Sequence, residues 1–288
     1  MNKYTLSIIL SVLLQSYAYG FMTRNMGTSA ILFFVMMAFI ACSVVYFILM
    51  RIRKLTVKKE HIPCLIGLNI STALAFVAFY VSISLIPASI SALVEAAAGP
   101  IWIVMLSLLI YKKSVSWSAI MTSLLILICG VVALRLQNGS VIDFNTVSGI
   151  LLAIAAALGA ALVAWNSEKA ESAGIKPVVV LAWRFHLTWL ISLILLMTFP
   201  SEKIAFSDAI RSLGLVLIGV VLPMYFMQLG MQRSSPLVTM MCLSMLPLIT
   251  YMFEMLFGGE FTLQLLSVLI IGTGASFLQI WLNSRATA

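Results

Sequence analysis

Two charged side chains stand alone inside long apolar stretches and could do chemistry there: Glu95 in "SALVEAAAGPIWIVM" and Arg184 in "VVLAWRFHLTWLI". A carboxyl in such a setting must face an interior or an aqueous cavity, or else carry its proton, because a charge at mid-membrane costs about 2.5–3.5 kcal/mol on insertion scales. Glu95 comes about one turn before Gly99-Pro100, where proline removes a backbone donor and frees carbonyls. A carboxylate beside loosened carbonyls is a natural proton or cation site; the alternative is a structural carboxyl bonded to a neighbouring helix. Arg184 either snorkels to headgroups or lines the same interior, where it would partner a substrate carboxylate.

Further polar edges are Tyr80, Trp102, Tyr225 and Gln228, the last two one turn apart on one helical face. His186 lies about 200° around the helix from Arg184 and reads as a packing histidine, with a proton relay as the alternative. Glu254 precedes Gly258-Gly259 by four residues and reads as interfacial. Cys42, Cys64, Cys129 and Cys242 are each isolated in an apolar run, so neither a disulfide framework nor a metal site is supported. No phosphate-binding glycine loop or His-Glu-x-x-His is present, which argues against ATP-driven chemistry and a zinc centre and leaves no cofactor to expect.

The elements that must position these residues are transmembrane helices. The 288 residues are 62% hydrophobic and 9% charged, with mean hydropathy +1.14, which excludes an ordinary soluble domain. Apolar runs of spanning length fall at 4–23, 28–50, 62–82, 87–111, 116–136, 147–165, 177–199, 209–231, 235–257 and 262–282. They are too long and too continuously apolar for a barrel, so the expected fold is an all-α integral membrane protein of ten helices. Met1-Asn2-Lys3 and the run ending near Gly20 resemble a secretory leader, but the run is long for one and is kept as the first span.

The net charge of +8 reports topology. With the N-terminus inside, Lys3, Arg51, Arg53, Lys54, Lys58, Lys59, Lys112, Lys113, Lys169, Lys176, Arg233 and Arg285 fall on inner segments, and only Arg24, Arg135, Lys203 and Arg211 on outer ones. Twelve against four puts both termini on the cytoplasmic side of an inner membrane, in contact with anionic lipid. No basic patch remains for nucleic acid.

A mid-span proline, Pro100 or Pro247, recurs 147 residues apart, each followed by a turn and then a glycine-bearing helix, "ILICGVVAL" or "IIGTGASFL". Five helices per half make such a repeat inverted, with halves 1–140 and 141–288. On these segments the chain resembles the drug/metabolite transporter superfamily and its EamA-type bacterial members. Glu260 matches the acid this family usually carries in the turn after its proline helix, whereas Lys112-Lys113 stand there in the first copy. The resemblance implies export of a small metabolite such as an amino acid. Glu95 then suggests proton antiport by alternating access, with Glu95, Arg184, Tyr80, Trp102, Tyr225 and Gln228 as binding residues and Gly99, Pro100 and Pro247 as hinges. Uptake or facilitated diffusion is the alternative. An intramembrane enzyme would need clustered catalytic groups, and a channel a filter-like polar ring.

Overall fold

A computed structural model describes residues 3–111, 117–138, 143–198, 210, 213–234 and 236–286 of the chain. The predicted inner lysines Lys112 and Lys113 and the outer Lys203 and Arg211 lie outside the described residues. The first six helices are α1 (Lys3–Asn25), α2 (Thr28–Ile52), α3 (Ile62–Leu85), α4 (Ala88–Tyr111), α5 (Trp117–Asn138) and α6 (Phe144–Ser172). The later ones are α7 (Pro177–Trp183), α8 (His186–Thr198), α9 (Leu213–Arg233), α10 (Pro236–Leu243), α11 (Leu246–Leu256) and α12 (Leu263–Ala286).

The described residues form an all-α protein. Six segments are long and apolar enough to cross a membrane: α1, α2, α3 with the turn before it, α6, α7 with α8, and α9. Shorter apolar helical stretches lie in α4, α5, α11 and α12. This is a multi-pass membrane protein.

Local sequence sets the ends. Asp143 caps α6 by accepting the Thr146 N–H at 2.8 Å. Gly174, at φ +72°, lets the chain leave α6 in a left-handed turn. Ile86 is extended because Pro87 follows it, which separates α3 from α4.

Inside the spans the breaks do not simply follow proline. α4 runs unbroken through Gly99-Pro100, so the expected break is absent there; one proline removes a single rung, and a long packed helix tolerates that. The predicted helix 235–257 does divide, into α10 and α11, at Ser244-Met245 with Pro247 in the first turn of α11. The predicted helix 177–199 divides too, at Arg184-Phe185, with no proline at the break. The cause is Asn69 of α3. Its amide donates to the Trp183 carbonyl at 2.5 Å, and its oxygen accepts the Leu187 N–H at 2.8 Å. A side chain therefore replaces the rung that would join residue 183 to 187. In α9 a π turn at Leu217–Val221 precedes Pro223.

α3 and α6 pack with almost no side chain between them. A Cβ added at Gly159 would lie 2.3 Å from the Ala75 nitrogen, and one at Gly67 would meet Asn166 at 3.3 Å. Ser82 Oγ donates to the Gly149 carbonyl at 2.8 Å. The pairs 67/166, 75/159 and 82/149 keep one antiparallel register over most of both helices.

Candidate functional site

Beneath these breaks lies a cavity of about 70 Å³. That is room for a few waters but not for most metabolites. Its polar wall comes from Gln15 and Tyr19 of α1, Glu95 of α4 and Arg184 at the α7/α8 break. Its apolar wall is Phe76 and Phe79 of α3, Met224, Met227 and Met231 of α9, and Leu243 and Leu246 beside the α10/α11 break. A smaller annex carries Glu95 onward to Gly99.

Arg184 is 1% exposed, so it does not snorkel. Arg184 closes α7, its N–H still donating to the Val180 carbonyl at 3.0 Å, and the side chain is held inward. Nε donates to Thr72 Oγ1 at 3.0 Å, Nη1 donates to Gln228 Oε1, and Gln228 Nε2 donates to Ser167 Oγ at 3.3 Å. All these partners are neutral. Among the described residues no carboxylate forms an ion pair with Arg184, and none of their side chains hydrogen-bonds the Glu95 carboxyl. The cavity therefore carries an acid and a guanidinium, brought by different helices, with no ion pair between them.

The other expected binding residues fall elsewhere. Gln228, fully buried, stands behind the cavity as the bridge between Arg184 and Ser167. Tyr80 is 1% exposed and lies within the aromatic cluster behind the wall, edge-on to Tyr19 at 5.6 Å and to Phe79 at 6.2 Å. Trp102 Nε1 donates to the Ile154 carbonyl at 3.1 Å, tying α4 to α6. Tyr225 stacks on Tyr46 at 6.4 Å. None of these four lies on the cavity wall. His186 is partly exposed, with Nδ1 3.1 Å from the Trp183 carbonyl, and also lies off the wall.

Glu254, expected near the end of its span, is fully buried within the protein and bonded to Ser89 of α4. The four cysteines are free, and no metal-holding cluster occurs among the described residues.

The sequence reading missed α1. Ser7, Ser11, Gln15 and Tyr19 recur every four residues along one buried face. Ser7 and Ser11 donate to the carbonyls of Phe226 and Pro223, at 2.8 and 2.6 Å. Gln15 donates to Ser11 Oγ at 2.8 Å, and Tyr19 donates to Gln15 Oε1 at 3.0 Å. That four-residue polar spacing is visible in the sequence and was the available signal. Thr72, Asn69 and the three methionines carry no such mark.

No curated protein matches the chain. A crystal structure of another protein, 19% identical, matches over 99% of this chain and 99% of its own with a TM-score of 0.71, a likeness of fold alone. Residues 147–283 match the profile of the EamA-like transporter family. Over that segment the chain is similar to the EamA-like transporters, which belong to the drug/metabolite transporter superfamily, a family of membrane transporters and not of enzymes.

Proposed function

We propose that the chain is a secondary carrier that exports a small zwitterionic metabolite, such as an amino acid, in exchange for protons. The observation that carries this reading is an acid, Glu95, and a guanidinium, Arg184, lining one cavity with no ion pair between them. A carboxylate on the substrate would meet the guanidinium, whose fork suits it. An ammonium, or in its absence a proton, would meet Glu95. The methionine wall is soft enough to follow side chains of different shape.

In this reading ten spans form two inverted halves, 1–140 and 141–288, with both termini cytoplasmic. The cavity must enlarge to admit its substrate. The α10/α11 break beside Pro247 and the α7/α8 break at Arg184 are the proposed bending points, with Gly99-Pro100 flexing within a continuous α4.

The test is metabolite profiling of the medium around cells overproducing the wild-type chain or equal amounts of Glu95→Gln. A metabolite enriched outside wild-type cells alone would name the substrate and put Glu95 in the cycle. Enrichment by both would keep the exporter and remove Glu95 from its mechanism. Enrichment by neither would favour uptake or facilitated diffusion.

A further inference from the structure

Glu254 has no place in the cavity described above, and its surroundings are those of a closure. Along α11 it stands eight residues beyond Leu246, and along α4 Ser89 stands six residues before Glu95. At the helical rise these separations are about 12 and about 9 Å, both toward the same end of the bundle. Both residues are fully buried. Glu254 Oε1 accepts the Ser89 N–H at 3.1 Å, and Oε2 accepts the Ser89 hydroxyl at 2.6 Å. The carboxylate of one helix thus caps the start of another, where N–H groups have no intrahelical acceptor and negative charge is favoured.

α1 seals the same junction. A Cβ on Gly20 would lie 2.8 Å from Phe253 Cβ and 2.9 Å from the Glu254 nitrogen. Tyr17 packs edge-on against Phe253 and Phe257, at 5.4 and 5.3 Å, and Phe21 against Phe257 at 5.2 Å. The helices that bring Gln15, Tyr19, Glu95 and Leu246 to the cavity are therefore pinned together at one end. With the charge-derived orientation, that end is the outer one.

We infer that the Glu254–Ser89 pair is the latch of an outer gate: the cavity opens outward when the carboxylate leaves the start of α4 and α11 swings about the Ser244-Met245 break. The inference rests on the carrier reading and its orientation. The offset of 147 residues that carries Pro100 onto Pro247 also carries Ser89 onto Pro236 and Ser107 onto Glu254. A hydroxyl then takes the place of the carboxylate, and a proline, with no N–H, the place of the capped serine. The two halves therefore carry different residue types at these mapped positions, and the repeat does not reproduce the acid–serine pair.

The experiment uses the full chain with Cys42, Cys64, Cys129 and Cys242 replaced by alanine and one reporter thiol on the cavity wall, Leu246→Cys. Its reaction with a membrane-impermeant maleimide is timed in right-side-out and inside-out vesicles. Glu254→Gln, which removes the charge and one acceptor, is expected to speed labelling from the outer face roughly tenfold, the scale of one charge-assisted hydrogen bond lost from the closed state. Ser89→Ala, which keeps the backbone donor, is expected to give a smaller acceleration in the same direction. If Glu254→Gln does not fold, Ser89→Ala decides alone. Labelling from both faces at rates that neither substitution alters overturns the latch and leaves the carrier standing. Labelling never reaching the thiol from outside in any variant overturns both.

Discussion

Arg184 is a guanidinium sunk in a membrane protein among neutral partners, and its geometry explains how the fold tolerates it. Thr72 and Gln228 each take one N–H direction, Ser167 steadies Gln228, and the remaining face of the fork is turned to the cavity. Lysine has the charge but gathers its three donors on one nitrogen, so Arg184→Lys cannot span both partners and present a flat fork as well. For a carboxylate-bearing substrate we expect its KM to rise roughly tenfold or more with protein yield preserved, and Arg184→Gln to abolish saturable transport. Counterflow in proteoliposomes measures both; an unchanged KM in the lysine variant would remove Arg184 from substrate binding. Glu95 was identifiable in the sequence from its isolation and the nearby proline. The inward aim of Arg184 was not, because the partners that hold it, Thr72 and Gln228, are 112 and 44 residues away in the chain. The partner of Glu254 was hidden for a related reason: closeness to Gly258-Gly259 along the chain says nothing about a neighbour on α4.

At the scale of elements, apolar length located six segments long enough to span and four shorter apolar helices, while the left-handed turn at Gly174 emerged only from the structure. What sequence could not rank was the two prolines. Pro100 and Pro247 look equivalent, yet α4 is continuous and α10/α11 is not, because the outcome depends on what packs beside each freed carbonyl. Glycines show the same dependence and give a sharp comparison. Gly159→Ala drives a Cβ to 2.3 Å from backbone, where nothing flexible can yield, whereas Gly274 has nothing within 4 Å. We expect Gly159→Ala to lower stability by roughly 1–3 kcal/mol, and Gly274→Ala to be neutral or slightly stabilising. Thermal unfolding in detergent micelles checks the pair, and equal melting temperatures would contradict the close contact.

For the whole molecule, charge asymmetry was the most informative sequence feature and predicts an orientation. Reporter fusions active only in the cytoplasm should be active after Lys54 and after Ser172, and those active only outside should be active after Asn25 and after Glu260. The reverse pattern would invert the assignment of Glu254 to the outer end without touching the cavity. Register between α3 and α6 has the wider consequence. Contacts at 67/166, 75/159 and 82/149 leave too little side-chain material between the two helices to be repacked. Sliding by one residue would drive backbone into backbone, so the pair travels as one rigid body. The same intimacy joins α1 to α9, where a Cβ on Gly230 would lie 2.2 Å from Ile8, so motion is left to the helix breaks within α7/α8 and α10/α11 and not to the seams between these close pairs.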